Sequence, residues 1–177
     1  YFSTGKSLGI EPLAIDKFDI EHASNDFKGT LYSKCLYDGI TPDIIDLYSL
    51  SKGDNQFVLT DIDGKVINDS SVYFKENLTE KDKYLTYTGD NRGLTKIINK
   101  NLQDGIAKNK LLIFKDSYAN AIIPFLVNHF DEISVVDLRY LNKSLEETIN
   151  FDDYGKILFL YNTDSFATQK LFSKLFS

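Results

Sequence analysis

Apolar residues along the chain gather into short runs and alternations, separated by polar or glycine-bearing turns. Leu111 to Phe114 is an apolar run long enough for one buried strand, and Ala119 to Phe130 carries apolar residues at helical spacing. A turn must then fall at Lys115-Asp116-Ser117, where a strand hands over to a helix. Glu132 to Leu141 holds a second buried strand, with Asp137, Arg139 and Tyr140 at its carboxyl end, and Lys156 to Tyr161 a third, ending in Tyr161-Asn162. Short helices are expected over Leu145–Phe151 and, amphipathically, Ser165–Phe176. Strand and helix alternating at these lengths predict right-handed βαβ crossovers and a parallel sheet.

The first half of the chain is less regular. Tyr1 to Gly9 has the pattern of a helix end, with Gly9 as a left-handed cap and Pro12 beyond it. Residues 13–37 are expected to be mostly loop, with a short helix near 26–34. Between Pro42 and Leu50 the apolar positions alternate, Ile45 and Leu47 against Ile44, Asp46 and Tyr48, which predicts a strand before a turn at Lys52–Asn55. Phe57–Ile62, Asp63-Gly64 and Lys65–Ile67 form the strand, turn, strand pattern of a hairpin. Asp61-Ile-Asp-Gly64 resembles the start of a calcium loop, but the further carboxylates and closing Glu such a loop needs are absent. A charged connector, Glu76–Lys83, leads to two further alternations divided at Gly89 and Asn91, and Asn101–Lys108 reads as a polar loop or frayed helix.

Composition narrows the class. A chain of 177 residues suits a single domain; 42% hydrophobic and 14% aromatic residues exclude a disordered tail, and no apolar run approaches the roughly twenty residues of a membrane helix. A net charge of −6 without a dense Lys/Arg stripe argues against nucleic acid as a partner. The single cysteine, Cys35, forms no intrachain disulfide and reads as a small, half-buried hydrophobe. Tyr1 is not a native start, so a domain opening on a helix end is expected to have lost its beginning.

The candidate chemistry lies where the three strands end. Asp116-Ser117, Asp137-Arg139-Tyr140 and Tyr161-Asn162 fall on one edge of one parallel sheet, where ligands of such sheets collect. Ser117 is either a nucleophile or the N-cap of its helix. Of the two histidines, His129 lies 12 residues along the same helix, about 18 Å away at 1.5 Å per residue, too far to act as base; His22 sits in a segment of unknown position. Arg139 at a buried strand mouth needs a partner, either an anionic ligand or an aspartate among Asp137, Asp116 and Asp153. Asn91 either marks a turn or donates to an oxyanion or substrate, and Tyr161 and Asn162 either touch substrate hydroxyls or end a strand.

The combination of Lys115-Asp116-Ser117-Tyr118 with Asp137-Leu138-Arg139-Tyr140, supported by Phe27–Lys34, Thr88–Asn91 and Leu160–Asn162, resembles the bacterial DHHW proteins. These are similar in turn to the SGNH hydrolases and to acetyltransferases that decorate exported polysaccharides. The resemblance implies an α/β, three-layer, mainly parallel, flavodoxin-like fold with a β-hairpin insertion, and Ser117 as nucleophile. In an enzyme of that kind the backbone N–H of Ser117 or Tyr118, with Asn91 or Asn120, is expected to hold the oxyanion, and Arg139 and Tyr161 to orient the sugar. The activity implied is that of an esterase or O-acyltransferase acting on an exported or cell-surface carbohydrate, without metal or cofactor. The Asp and His of the family motif would lie upstream of Tyr1, so the chain alone would be inactive. Lys115 stands where the superfamily has glycine. The alternative is an exported glycan-binding or structural module whose Ser117 only caps a helix.

Overall fold

The computed structural model describes residues 1–29, 39–50, 57–102 and 109–168. These group into two compact units, residues 13–54 with 73–90, and residues 1–12, 55–72 and 91–177. Cys35, the Lys52–Asn55 turn, most of the 26–34 helix and of the Asn101–Lys108 segment, and the end of the closing helix lie outside the described residues.

In the smaller unit, β1 (Phe18–Phe27) and β2 (Asp43–Leu50) form an antiparallel pair, with Phe18 opposite Leu50 and His22 opposite Asp46. The alternation in β2 is as the pattern predicts: Ile45 and Leu47 are buried and Ile44 is exposed. Strand β1 corrects the expectation of loop over 13–37. Only Phe18 at its start is buried, so its sequence carries no alternation to read. Pairing with β2 satisfies its backbone instead. The Tyr73 hydroxyl donates to the Tyr48 carbonyl and accepts from the Tyr48 N–H, both at 3.0 Å, tying the pair to the residues after 73.

The larger unit begins with α1 (Phe2–Ser7), which ends as predicted: Ile10 N–H reaches back to the Gly5 carbonyl and Gly9 adopts φ +64°. Its sheet has six strands, β3 (Phe57–Thr60), β4 (Val66–Asn68), β5 (Leu94–Asn99), β6 (Lys110–Lys115), β7 (Glu132–Val136) and β8 (Lys156–Leu160), in the order β4-β3-β5-β7-β6-β8. The β3–β4 hairpin is the one expected at Asp61–Gly64. The Asp61 carboxylate accepts from the N–H groups of Asp63 and Lys65 and so folds the turn.

Strands β7, β6 and β8 are parallel, but β5 runs antiparallel to β7, and β3 and β4 continue that antiparallel half. The sheet is therefore mixed, a correction to the mainly parallel expectation. The connection from β5 to β6 spans only residues 100–109, short for the crossover that a parallel return requires.

Strand β6 is the centre of the core: Leu111, Leu112, Ile113 and Phe114 are all fully buried, so both of its faces are covered. Leu112 and Phe114 pack with Leu94, Val136, Leu138, Leu141, Leu145 and Ile149. Strand β8, expected to be buried, is instead an edge strand with Ile157 and Phe159 exposed. A run of apolar residues cannot by itself distinguish an edge from a centre. The helix expected over 119–130 is realised as a 3₁₀ turn, Ser117–Ile122, followed by α2 (Ile123–Leu126). Pro124 has no N–H to give the carbonyl of Asn120, so an α-helix cannot run through it, whereas the first turn of a new helix accepts it. Short helices α3 (Leu145–Thr148) and α4 (Thr163–Thr168) follow β7 and β8.

Candidate active site

The carboxyl ends of β6, β7 and β8 lie side by side, and the residues just past them are joined by buried polar contacts. Asp116 follows β6 and is the N-cap of the 3₁₀ turn: its Oδ1 accepts from the Tyr118 N–H at 3.0 Å. Its Oδ2 accepts from the backbone N–H of Asn162 at 2.8 Å and from the Asn162 Nδ2 at 2.6 Å. Asn162 in turn caps α4, accepting from the Ser165 N–H at 2.8 Å. One aspartate thus locks the ends of β6 and β8 together.

This arrangement corrects the reading of Ser117 as a cap. Asp116 fills that role, and Ser117, the first residue inside the turn, is half-buried with no hydrogen-bond partner for its Oγ among the described residues. The hydroxyl is free to meet a ligand. Tyr118 is largely exposed and its N–H is already engaged by Asp116. Asn120 is buried one turn on, and its Oδ1 has no partner among the described residues.

A second cluster forms past β7. Asp137 is fully buried; its Oδ1 accepts from Arg139 Nε at 2.9 Å and its Oδ2 from Arg139 Nη2 at 2.7 Å. The aspartate partner anticipated for Arg139 is therefore Asp137. Lys115 also points here, its Nζ 3.5 Å from Asp137 Oδ2 and donating to Asn91 Oδ1 at 3.3 Å. Burial pushes the Lys115 ammonium pKa down, Asp137 opposes this, and Arg139 adds to it. The hydrogen bond to Asp137 holds the Arg139 guanidinium in its charged form. Tyr161 senses the same charges: burial pushes its hydroxyl pKa up, Asp137 and Asp116 push it further, and Arg139 opposes them.

Sequence reasoning named Asn91 and Arg139 separately but missed what joins them, the buried Lys115–Asp137 pair. The available signal was a lysine continuing the 111, 113, 115 phase of a fully buried strand, where only a carboxylate could compensate it. Gly93 was missed as well. A Cβ there would stand 2.7 Å from Leu141 Cα and 2.8 Å from the Tyr140 carbonyl, so only glycine lets Asn91–Gly93 run against the turn that carries Arg139.

Neither histidine is placed as a base by these contacts. His129 Nε2 is 2.6 Å from the Tyr1 hydroxyl, beyond α2, and burial pushes its pKa down. His22 Nδ1 pairs with Asp46 Oδ1 at 2.6 Å within the smaller unit. Among the described residues there is no group of three or more His, Cys, Asp or Glu able to hold a metal ion.

The profile of the DHHW protein family matches residues 2–136. The chain belongs to the DHHW family. Among solved structures, a DHHW family protein from Eubacterium siraeum superposes with TM-score 0.78 at 24% identity, covering 99% of this chain and 57% of that one. PatB1 of Bacillus cereus, in a structure with a sulfonyl adduct, gives TM-score 0.69 at 25% identity over 97% of this chain and 56% of that one. A second PatB1 structure gives 0.67 at 23% identity, over 97% and 57%. This DHHW chain thus spans a little over half the length of the solved chains it matches. None of the curated proteins matches it.

Proposed function

We propose that this DHHW protein belongs to a serine-dependent esterase or O-acyltransferase acting on an exported or cell-surface carbohydrate, with Ser117 as the nucleophile. The observation that carries the reading is the division of labour at the end of β6. Asp116 makes the cap and the tie to β8, leaving Ser117 Oγ open at the carboxyl edge of three parallel strands. The PatB1 likeness supports it, because a sulfonyl adduct is what an activated nucleophile forms with a sulfonyl electrophile.

In this reading Ser117 Oγ attacks the acyl carbonyl and its proton passes to a histidine. The donor alcohol leaves with that proton, and water or a sugar hydroxyl then takes the acyl group from the serine. The Ser117 N–H, with Asn91 or Asn120, is assigned to the developing oxyanion, and Arg139 and Tyr161 to the sugar. A sulfonyl fluoride or activated acyl ester applied to the full-length protein should label Ser117, and Ser117→Ala should abolish both labelling and turnover. An unlabelled Ser117, or turnover that survives Ser117→Ala, overturns the proposal.

A further inference from the structure

Arg139 is held so that half of its recognition surface stays open. Asp137 takes one fork of the guanidinium, Nε and one hydrogen of Nη2. The other fork, Nη1 with the second Nη2 hydrogen, has no partner among the described residues, and the side chain is 28% exposed. A guanidinium is planar, so fixing one fork also aims the other. The fixing is firm, because Asp137 is fully buried and shared with the equally buried ammonium of Lys115. Beside it Tyr140 is half-exposed, with Arg139 Cζ 5.4 Å from the ring centroid. An anchored arginine fork beside a half-exposed aromatic ring suits a ligand that joins an anion to a ring of C–H groups, which describes an acidic sugar.

The sheet register puts this feature on the same sheet edge as Ser117. Phe114 pairs with Val136 at the end of the β6–β7 ladder, so Ser117 and Arg139 each stand three residues beyond the same rung of neighbouring parallel strands. Both residues therefore leave the same edge of the sheet from strands that are direct neighbours.

We infer that Arg139, aimed by Asp137 and Lys115 and flanked by Tyr140, forms a subsite for an anionic substituent, a carboxylate or a phosphate ester, on the glycan that Ser117 serves. The inference rests on the acyl-transfer reading for its location and narrows the substrate to an acidic glycan. Arg139 is here a substrate-contacting residue, while Asp137 and Lys115 are positioning residues that act through it.

The test is calorimetric titration of the full-length protein with three oligomers: an oligogalacturonate, its carboxyl-reduced neutral counterpart, and a phosphodiester-linked sugar oligomer. One of the anionic oligomers should bind at least tenfold more tightly than the neutral one, with an advantage that shrinks as salt is raised. Which of the two binds identifies the anion. Arg139→Lys retains a cation for Asp137 but has no second fork, and should lose most of the preference; Tyr140→Ala should weaken binding severalfold, with the fold of each variant checked by circular dichroism. Equal binding of the neutral oligomer, no binding of either anionic one, or a preference unchanged in Arg139→Lys overturns the inference. Sulfonyl labelling of the same preparations keeps the two proposals apart. Labelled Ser117 without an anion preference refutes the subsite alone, and an Arg139-dependent preference with unlabelled Ser117 refutes acyl transfer alone.

Discussion

Replacing Asp116 and Ser117 separately by alanine asks which of the two adjacent residues is structural. Asp116→Ala removes the acceptor for three N–H groups, those of Tyr118, Asn162 and the Asn162 side chain. Hydrogen bonds to a charged group contribute about 1.5–3 kcal/mol each and are not additive, and the capping share alone is about 1 kcal/mol. Because Asp116 is almost fully buried, water cannot easily replace it, and a total near 4 kcal/mol is expected. Ser117→Ala removes a hydroxyl with no partner among the described residues and should change stability by no more than about 0.5 kcal/mol. With a urea m-value of roughly 2 kcal/mol/M for a chain of this size, the unfolding midpoint should fall by about 2 M in Asp116→Ala and by less than about 0.3 M in Ser117→Ala. Urea titrations followed by far-ultraviolet circular dichroism measure both. If Ser117→Ala cost 1 kcal/mol or more while Asp116→Ala cost less, the cap would belong to the serine. The Ser117 hydroxyl would then be engaged in the cap and not open to chemistry.

Two further outcomes test the framework around the site. Gly93→Ala should cost about 2–3 kcal/mol, read as a lowered melting temperature, because the new methyl meets Leu141 Cα and the Tyr140 carbonyl, backbone atoms that cannot rotate away. An unchanged melting temperature would mean that the close approach is not needed. Burial pushes the Tyr73 hydroxyl pKa well above its ordinary value of 10.0. A group whose folded pKa is raised contributes stability that is fully present below the unfolded pKa and lost as pH rises toward the folded value. The stability difference between the parent and Tyr73→Phe should therefore be constant through neutral pH and shrink above about pH 10, as denaturation midpoints at pH 8 and pH 11 would show. A difference that grew over that range would contradict the burial argument.

The hydrophobic pattern was sufficient for features whose cause is local. The Asp61–Gly64 turn, the buried Ile45 and Leu47 phase of β2, the Gly9 cap and the strand-to-turn passage at Lys115–Ser117 each depend on residues within a few positions of one another. Backbone sterics and side-chain periodicity therefore make them readable. Strand β1 escaped detection because it buries almost no side chain, and a strand held mainly by backbone pairing leaves no mark in composition. The run at 156–161 was readable as a strand but not as an edge, since its place depends on which other strands lie beside it.

The site divides along the same line. That Ser117, Arg139, Tyr161 and Asn162 would fall on one sheet edge followed from element order alone. Only the folded chain decided that Asp116 caps while Ser117 stays open, because the partner that completes Asp116 is Asn162, 46 residues away. The same holds for Arg139, whose direction is set by a carboxylate that also neutralises Lys115 from the neighbouring strand. Hydrogen-bond partners across strands are chosen by register, and register is a property of the assembled sheet.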